Sequence, residues 1–126
     1  MSFLETHGTG TAIGDETETA SINNVFGDRK PNNPLYLGAS KSLVGHTETI
    51  SGLTSLVKVL SIFMQRKIPA QRLSDPDYTN ARFKPGITFP TITVPLPSKK
   101  ALYAGICNYG LNGTNTHIIL KSSEVE

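Results

Sequence analysis

The chain is short of several residue types that would fix a functional class. It has one cysteine, Cys107, so no internal disulfide can form and no cysteine zinc cluster can assemble. Its three histidines, His7, His46 and His117, stand far apart and show no metal-ligand spacing. No apolar run reaches the ~18 residues of a membrane span. The N-terminus lacks the basic and apolar stretches of an export signal, so a cytoplasmic, reducing setting is expected. Charge is nearly balanced, with 12 basic and 10 acidic residues giving a formal net charge of +2. That is too weak for a nucleic-acid footprint. The glycine-rich turn at Gly8 to Gly10 matches neither a P-loop nor a dinucleotide fingerprint. Metal, cofactor, nucleic acid and membrane are therefore all expected to be absent from its chemistry.

What is present fits one ordinary globular domain over residues 1–126, at 37% hydrophobic and 17% charged. A short strand before Thr6 runs into the turn His7-Gly8-Thr9-Gly10-Thr11. A helix is expected over Asp15 to Phe26, with Asp15 as its N-cap and Gly27 as its stop. A second strand is expected over Leu35 to Ser40, and the longest helix from about Thr47 to Arg66. In that helix Ile50, Leu53, Val57, Leu60 and Met64 form one apolar stripe. Leu56, Val59, Ile62 and Phe63 make most of the remainder apolar, the mark of a helix buried on more than one side. Pro69 to Lys100 is long and irregular and holds six of the eight prolines. Two strands, Leu102 to Asn108 and Thr116 to Leu120, flank a glycine-bearing turn, and residues 122–126 are expected to fray. Strands alternating with helices imply an α/β fold with a small mixed sheet.

Three segments place glycine beside polar groups at expected strand ends, where α/β folds put ligand sites. They are Glu5-Thr6-His7-Gly8-Thr9-Gly10-Thr11, Lys41-Ser42-Leu43-Val44-Gly45-His46-Thr47-Glu48, and Gly110-Leu111-Asn112-Gly113-Thr114-Asn115-Thr116-His117. In this order they resemble the ketosynthase domain of polyketide synthases, among the thiolase-like condensing enzymes. The first is similar to that family's Glu-Ala-His-Gly-Thr-Gly-Thr motif, followed here by Gly14-Asp15 and Glu18. The second is similar to Lys-Ser-Asn-Ile-Gly-His-Thr-Glu, and the third to Gly-Phe-Gly-Gly-Thr-Asn-Ala-His. The resemblance covers nearly the whole chain but only the C-terminal half of the family's domain. It implies half of a thiolase-like fold, a truncated stand-alone domain without the half that bears the nucleophilic cysteine.

The resemblance implies that His7 and His46 stabilise a thioester carbonyl and the enolate left when a malonyl unit loses carbon dioxide. It implies that Lys41 orients His46, and that Thr9, Thr11, Asn112 and Thr114 line the substrate cleft. The pattern departs from the family at Glu16 for a proline, Leu43 for an asparagine, Thr49 and Ser51 for alanines, and Asn112 for a glycine. Polar groups in place of small apolar ones suggest a pocket that handles water or a hydroxyl. His117 alternates with apolar neighbours and reads as structural, and Cys107 reads as a buried small hydrophobe.

The first expectation is an enzyme of polyketide biosynthesis acting on a polyketide thioester, free or carrier-protein-bound, without a covalent intermediate. One histidine would act as general base and the other as oxyanion donor, releasing an acid, lactone or pyrone. Decarboxylation of a β-keto or malonyl group is the runner-up chemistry. A non-catalytic chain would instead dock on a polyketide synthase, and a split enzyme would need a second chain bearing the cysteine half. The resemblance implies a duplicated fold whose two halves pack through their central helices, so two copies of this chain are expected to pair as an isologous homodimer.

Overall fold

A computed structural model describes residues 1–123. Five strands form the main sheet: β1 (Phe3–Glu5), β2 (Leu35–Gly38), β4 (Ile87–Thr88), β6 (Tyr103–Tyr109) and β7 (Asn115–Lys121). Their spatial order is β4-β2-β1-β6-β7. The first four run parallel, and β7 returns antiparallel to β6 with Cys107 opposite His117. A two-stranded ribbon pairs β3 (Lys67–Ile68) with β5 (Val94–Pro95). The α/β class and the small mixed sheet agree with the sequence reading.

Strand alternation divides the core into two clusters, one on each face of the sheet. Leu4, Leu35, Leu37, Ile87 and Cys107 pack with Ile22 of α1 (Ala12–Phe26) on one face. Phe3, Ala104 and Ile106 pack with Val59 and Ile62 of α3 (Ser51–Gln65) on the other. Two short helices, α2 (Lys41–Val44) and α4 (Pro76–Ala81), complete the elements.

Several boundaries differ from the expectation. Thr11, not Asp15, precedes the first residue of α1. Asp15 sits in the first turn, where its Oδ1 accepts the Gly10 N–H at 3.2 Å and its charge suits the helix dipole. The long helix expected from Thr47 starts at Ser51, after a 3-10 turn over Glu48–Ile50. Within the irregular stretch α4 forms, because Asp75 accepts the Tyr78 N–H and Pro76 stands where a helix needs no donor. The expected fraying does not reach Ser122, which is buried and accepts the Leu102 N–H at 2.9 Å. Residues 124–126 lie outside the described residues.

The stripe of α3 faces outward. Ile50, Leu53, Val57, Leu60 and Met64 are between 46% and 85% exposed, while Ser51, Ser55, Val59 and Ile62 are buried against the sheet. Lys58 is the one charged residue of α3, and it points inward to Glu5. An exposed helix face without charge is the kind of surface that marks an interaction site. No helix among the described residues is long and apolar enough to cross a membrane.

Candidate active site

The carboxyl ends of parallel strands carry the sites of open α/β sheets. Here β1 leads to His7, β2 leads to Lys41, and β6 ends at Asn108 and Tyr109. The His7 turn is tight because Gly8 adopts φ +48°, and Gly45 at φ +75° turns the chain into His46. The two imidazoles meet edge to face with ring centroids 6.0 Å apart. Tyr109 lies against His7 at 5.2 Å.

Both rings are held by backbone donors. His46 Nδ1 accepts the Glu48 N–H at 2.9 Å, and His7 Nδ1 accepts the Tyr109 N–H at 3.3 Å. A neutral ring that accepts at Nδ1 carries its proton on Nε2. Asn108 Oδ1 lies 3.1 Å from the same His7 Nδ1, where it accepts if that nitrogen carries the proton, so the two neighbours of His7 Nδ1 favour opposite tautomers. The tautomer of His46 is assigned from its partner. Among the described residues neither Nε2 has a hydrogen-bond partner, so His46 keeps a free Nε2–H, and His7 presents at Nε2 an N–H or a lone pair according to its tautomer.

Glu18, from α1, braces the His7 turn. Its carboxylate accepts the backbone N–H groups of His7 at 2.7 Å and Gly8 at 2.9 Å. Burial raises its pKa, and those two donors oppose the rise. Glu18→Ala would leave two partly buried donors unpaired. It is expected to cost about 1–3 kcal/mol for each donor that water cannot reach. Urea unfolding reads this as a lower midpoint at unchanged slope.

Partial burial lowers the pKa of His7 below its ordinary 6.5, with the charges of Lys41 and His46 adding to the fall and the Asn108 bond opposing it. The folded value lies below the unfolded one. The contribution of His7 to stability is thus complete above about 6.5 and is lost as pH falls through the lowered value. A His7 titration midpoint below 6.5, read by NMR of the ring protons, is the expected result; a midpoint above it contradicts the environment described here.

The histidines share a cleft of about 480 Å³ whose wall includes Thr49, Ser51, Asn112, Thr114 and Thr116. Asn112 and Thr114, two of the residues expected at a substrate cleft, thus lie on its wall. Thr9 and Lys41 line a second cavity of about 440 Å³ on the other side of the His7 turn, which His46 also borders. Thr11 lines neither, because it is taken up by the start of α1. Lys41 does not hydrogen-bond His46. Its Nζ is buried without a hydrogen-bond partner among the described residues. Burial lowers its pKa, while Glu5 and Glu18 hold it up. The ring of His46 is oriented instead by the Glu48 N–H.

Sequence reasoning missed Glu48, Asn108 and Tyr109, because two of the three act through backbone N–H groups that no side-chain motif displays. It also missed that Cys107 Sγ lies 3.2 Å from His117 Nδ1. Cys107 is nonetheless 6% exposed, and burial pushes its thiol pKa up. A thiol so placed is a core residue and not a nucleophile.

The family described as "Beta-ketoacyl synthase, C-terminal domain" matches residues 1–74. The reducing polyketide synthase pksF of Alternaria solani is 36% identical over 124 residues, spanning 96% of this chain and 5% of that protein. The non-reducing polyketide synthase stbA of Stachybotrys bisbyi is 39% identical over 125 residues, spanning 94% of this chain and 5% of that protein. Among solved structures, ketosynthase twelve of the bacillaene polyketide synthase in Bacillus amyloliquefaciens superimposes with a TM-score of 0.84 at 28% identity. That match covers 98% of this chain and 23% of the solved one. The chain thus spans about 5% of the length of these curated relatives. With the thiolase-like half-fold and the three motif segments in place, the chain belongs to the beta-ketoacyl synthase family, as a ketosynthase C-terminal domain of the polyketide synthase type.

Proposed function

We propose that this chain furnishes the histidine wall of a polyketide acyl-thioester site, where His7 and His46 hold the enolate formed when a malonyl thioester loses carbon dioxide. One observation carries this reading: the two imidazoles stand 6.0 Å apart on the wall of one cleft, with His46 Nδ1 occupied by the Glu48 N–H so that its Nε2–H is free to donate. In the step, the bond between the α-carbon and the carboxylate breaks. Its electron pair passes into the thioester carbonyl as an enolate, whose oxygen the two N–H groups hold. Carbon dioxide leaves, and the α-carbon then takes a proton from water or attacks an acyl group.

Release by hydrolysis or lactonisation, giving an acid, lactone or pyrone, is the second reading. It is favoured by the hydroxyl and amide groups of Thr49, Ser51, Asn112 and Thr116 on the cleft wall, which suit an ordered water or a substrate hydroxyl. It needs a histidine lone pair to take a proton; that of His46 is occupied by the Glu48 N–H, which leaves His7, with Nδ1–H toward Asn108 Oδ1, as the base of this reading. We rank decarboxylation first because His46 is set as a donor and not as a base, which reverses the order of the sequence reading.

The exposed seam of α3 supports a partner. Its spacing, 50-53-57-60-64, alternates threes and fours, the period that fits one helix against another. A second α/β half with an equivalent central helix covers it in our reading, and a second copy of the same chain supplies one isologously. The thioester substrate is carrier-bound or free. Two thioester surrogates given to the purified chain test the chemistry by mass spectrometry. Acetyl thioester from the malonyl surrogate supports the enolate reading; pyrone or free acid from a β,δ-diketo surrogate, with no decarboxylation, supports release in its place.

A further inference from the structure

The single charge on α3 is spent inside the molecule. Lys58 Nζ meets Glu5 Oε2 at 2.8 Å and donates to Gln71 Oε1 at 3.0 Å. It also lies 5.6 Å from the centre of the Phe3 ring. Glu5 is fully buried. Its other oxygen, Oε1, accepts the Ser40 N–H at 2.5 Å, and Gln71 Oε1 accepts the Ala39 N–H at 3.0 Å. Gln71 is itself tied down, donating to Pro69 O at 2.8 Å. Gly38 has no room for a Cβ, which would strike the Glu5 carboxylate and the Phe3 ring.

These contacts join the segments that build the site. Glu5 stands two residues before His7 on the same extended run. Ala39 and Ser40 lead directly into Lys41. Lys58 belongs to the helix that follows His46. A buried ion pair is a poor source of stability, since an apolar pair of similar volume usually does as well. Its geometric demands are strict, because both carboxylate oxygens and the ammonium must be met by donors and acceptors in fixed positions. We propose that the Glu5–Lys58–Gln71 network is a positioning device, which registers the Lys41 turn and the His7 strand against α3. The proposal rests on the site reading above for its consequence in turnover, but its geometric content stands without it.

The mechanism of action is backbone placement. Two consecutive N–H groups, those of Ala39 and Ser40, are gripped by side chains linked through one ammonium. Loss of the network frees the residue pair that aims Lys41 into the second cavity beside His46. None of the three residues of the network lines the cleft the histidines share.

The test compares two variants of the full chain. In Glu5→Gln/Lys58→Met the charges are removed together, so neither is left buried alone. In Gln71→Leu both charges stay, but the Ala39 grip is lost. For each, thermal unfolding is recorded, Lys41 acetylation is followed by peptide mass spectrometry with Lys84 as reference, and malonyl-thioester decarboxylation is measured. The expected result is a melting temperature near that of the parent, faster Lys41 labelling relative to Lys84 in both variants, and kcat lower by about 100-fold at little-changed KM, as misplacement of a site by an ångström produces. Unchanged Lys41 labelling in folded variants overturns the proposal, whatever the turnover. If the double variant fails to fold, Gln71→Leu decides by the same criterion. If the parent shows no turnover, labelling alone decides, so a failed site reading and a failed positioning role remain separate outcomes.

Discussion

His46→Ala is expected to slow decarboxylation of a malonyl thioester by about 100- to 1,000-fold, the usual cost of one oxyanion donor in a preorganised site. His7→Ala is expected to do the same. The reason is geometric. His46 is held at Nδ1 by the Glu48 N–H, and the His7 ring is held in place by Asn108 and the Tyr109 N–H, so neither ring has to reorganise to meet the oxyanion. Glutamine keeps an N–H donor where alanine keeps none, so His46→Gln should recover part of the loss. The double alanine variant should be little worse than either single one, because a pair that holds one oxygen acts as a unit. Steady-state kinetics on the four variants checks this. Equal activity of His46→Ala and the parent removes His46 from the site, and a full loss in His46→Gln beside a mild one in His46→Ala argues against a donor role.

Two acidic substitutions in the outward seam of α3, Leu53→Asp with Leu60→Asp, are expected to weaken self-association of the chain by about 100-fold or more. That figure follows from two central apolar side chains, each worth on the order of 2 kcal/mol at an interface, where about 1.4 kcal/mol is tenfold. Carboxylates at those positions also lose their hydration when covered. Leu53 and Leu60 are solvent-facing in the single chain, so the substitutions should leave its fold intact. Sedimentation at micromolar concentration gives the direct reading: a dimer for the parent and a monomer for the variant. A parent that stays monomeric and soluble means that the seam is covered by something other than a second copy, or is not an interface.

The grouping of residues at the candidate site was legible in the sequence wherever a motif is local. His7, His46, Asn112 and Thr114 fall within short runs around glycines, and the fold brings these runs to one end of the sheet by strand order alone. The alternation of strands and helices likewise foretold the sheet, because alternation is a local property. What could not be read was partnership across distance. Lys41 stands near His46 in sequence, yet its electrostatic neighbours are Glu5 and Glu18, brought there by β1 and α1. The ring of His46 is aimed by a backbone group, and main-chain donors leave no trace in residue identity.

The outward face of α3 was illegible for a different reason. Its residues are apolar on nearly every side, so periodicity finds a stripe without finding which stripe faces the sheet. The small residues Ser51 and Ser55 turn out to face inward, where bulkier ones would hold the helix off, and the larger Leu53 and Val57 face out. In a chain read alone, hydrophobicity signals burial; here the larger apolar residues of α3 are the exposed ones.

The pairing of two Nε2–H donors at one cleft is open to direct measurement by long-range nitrogen-15 NMR of the histidine rings, which distinguishes a protonated ring nitrogen from one bearing a lone pair. At a pH where both rings are neutral, His46 should show the proton on Nε2 and the lone pair on Nδ1, in line with the Glu48 contact, and the paired-donor reading requires the same of His7, with the Tyr109 N–H winning over Asn108 Oδ1 at its Nδ1. A proton on Nδ1 of either ring would contradict the paired-donor site, and would return the hydrolytic reading, with that histidine as its base, to first place.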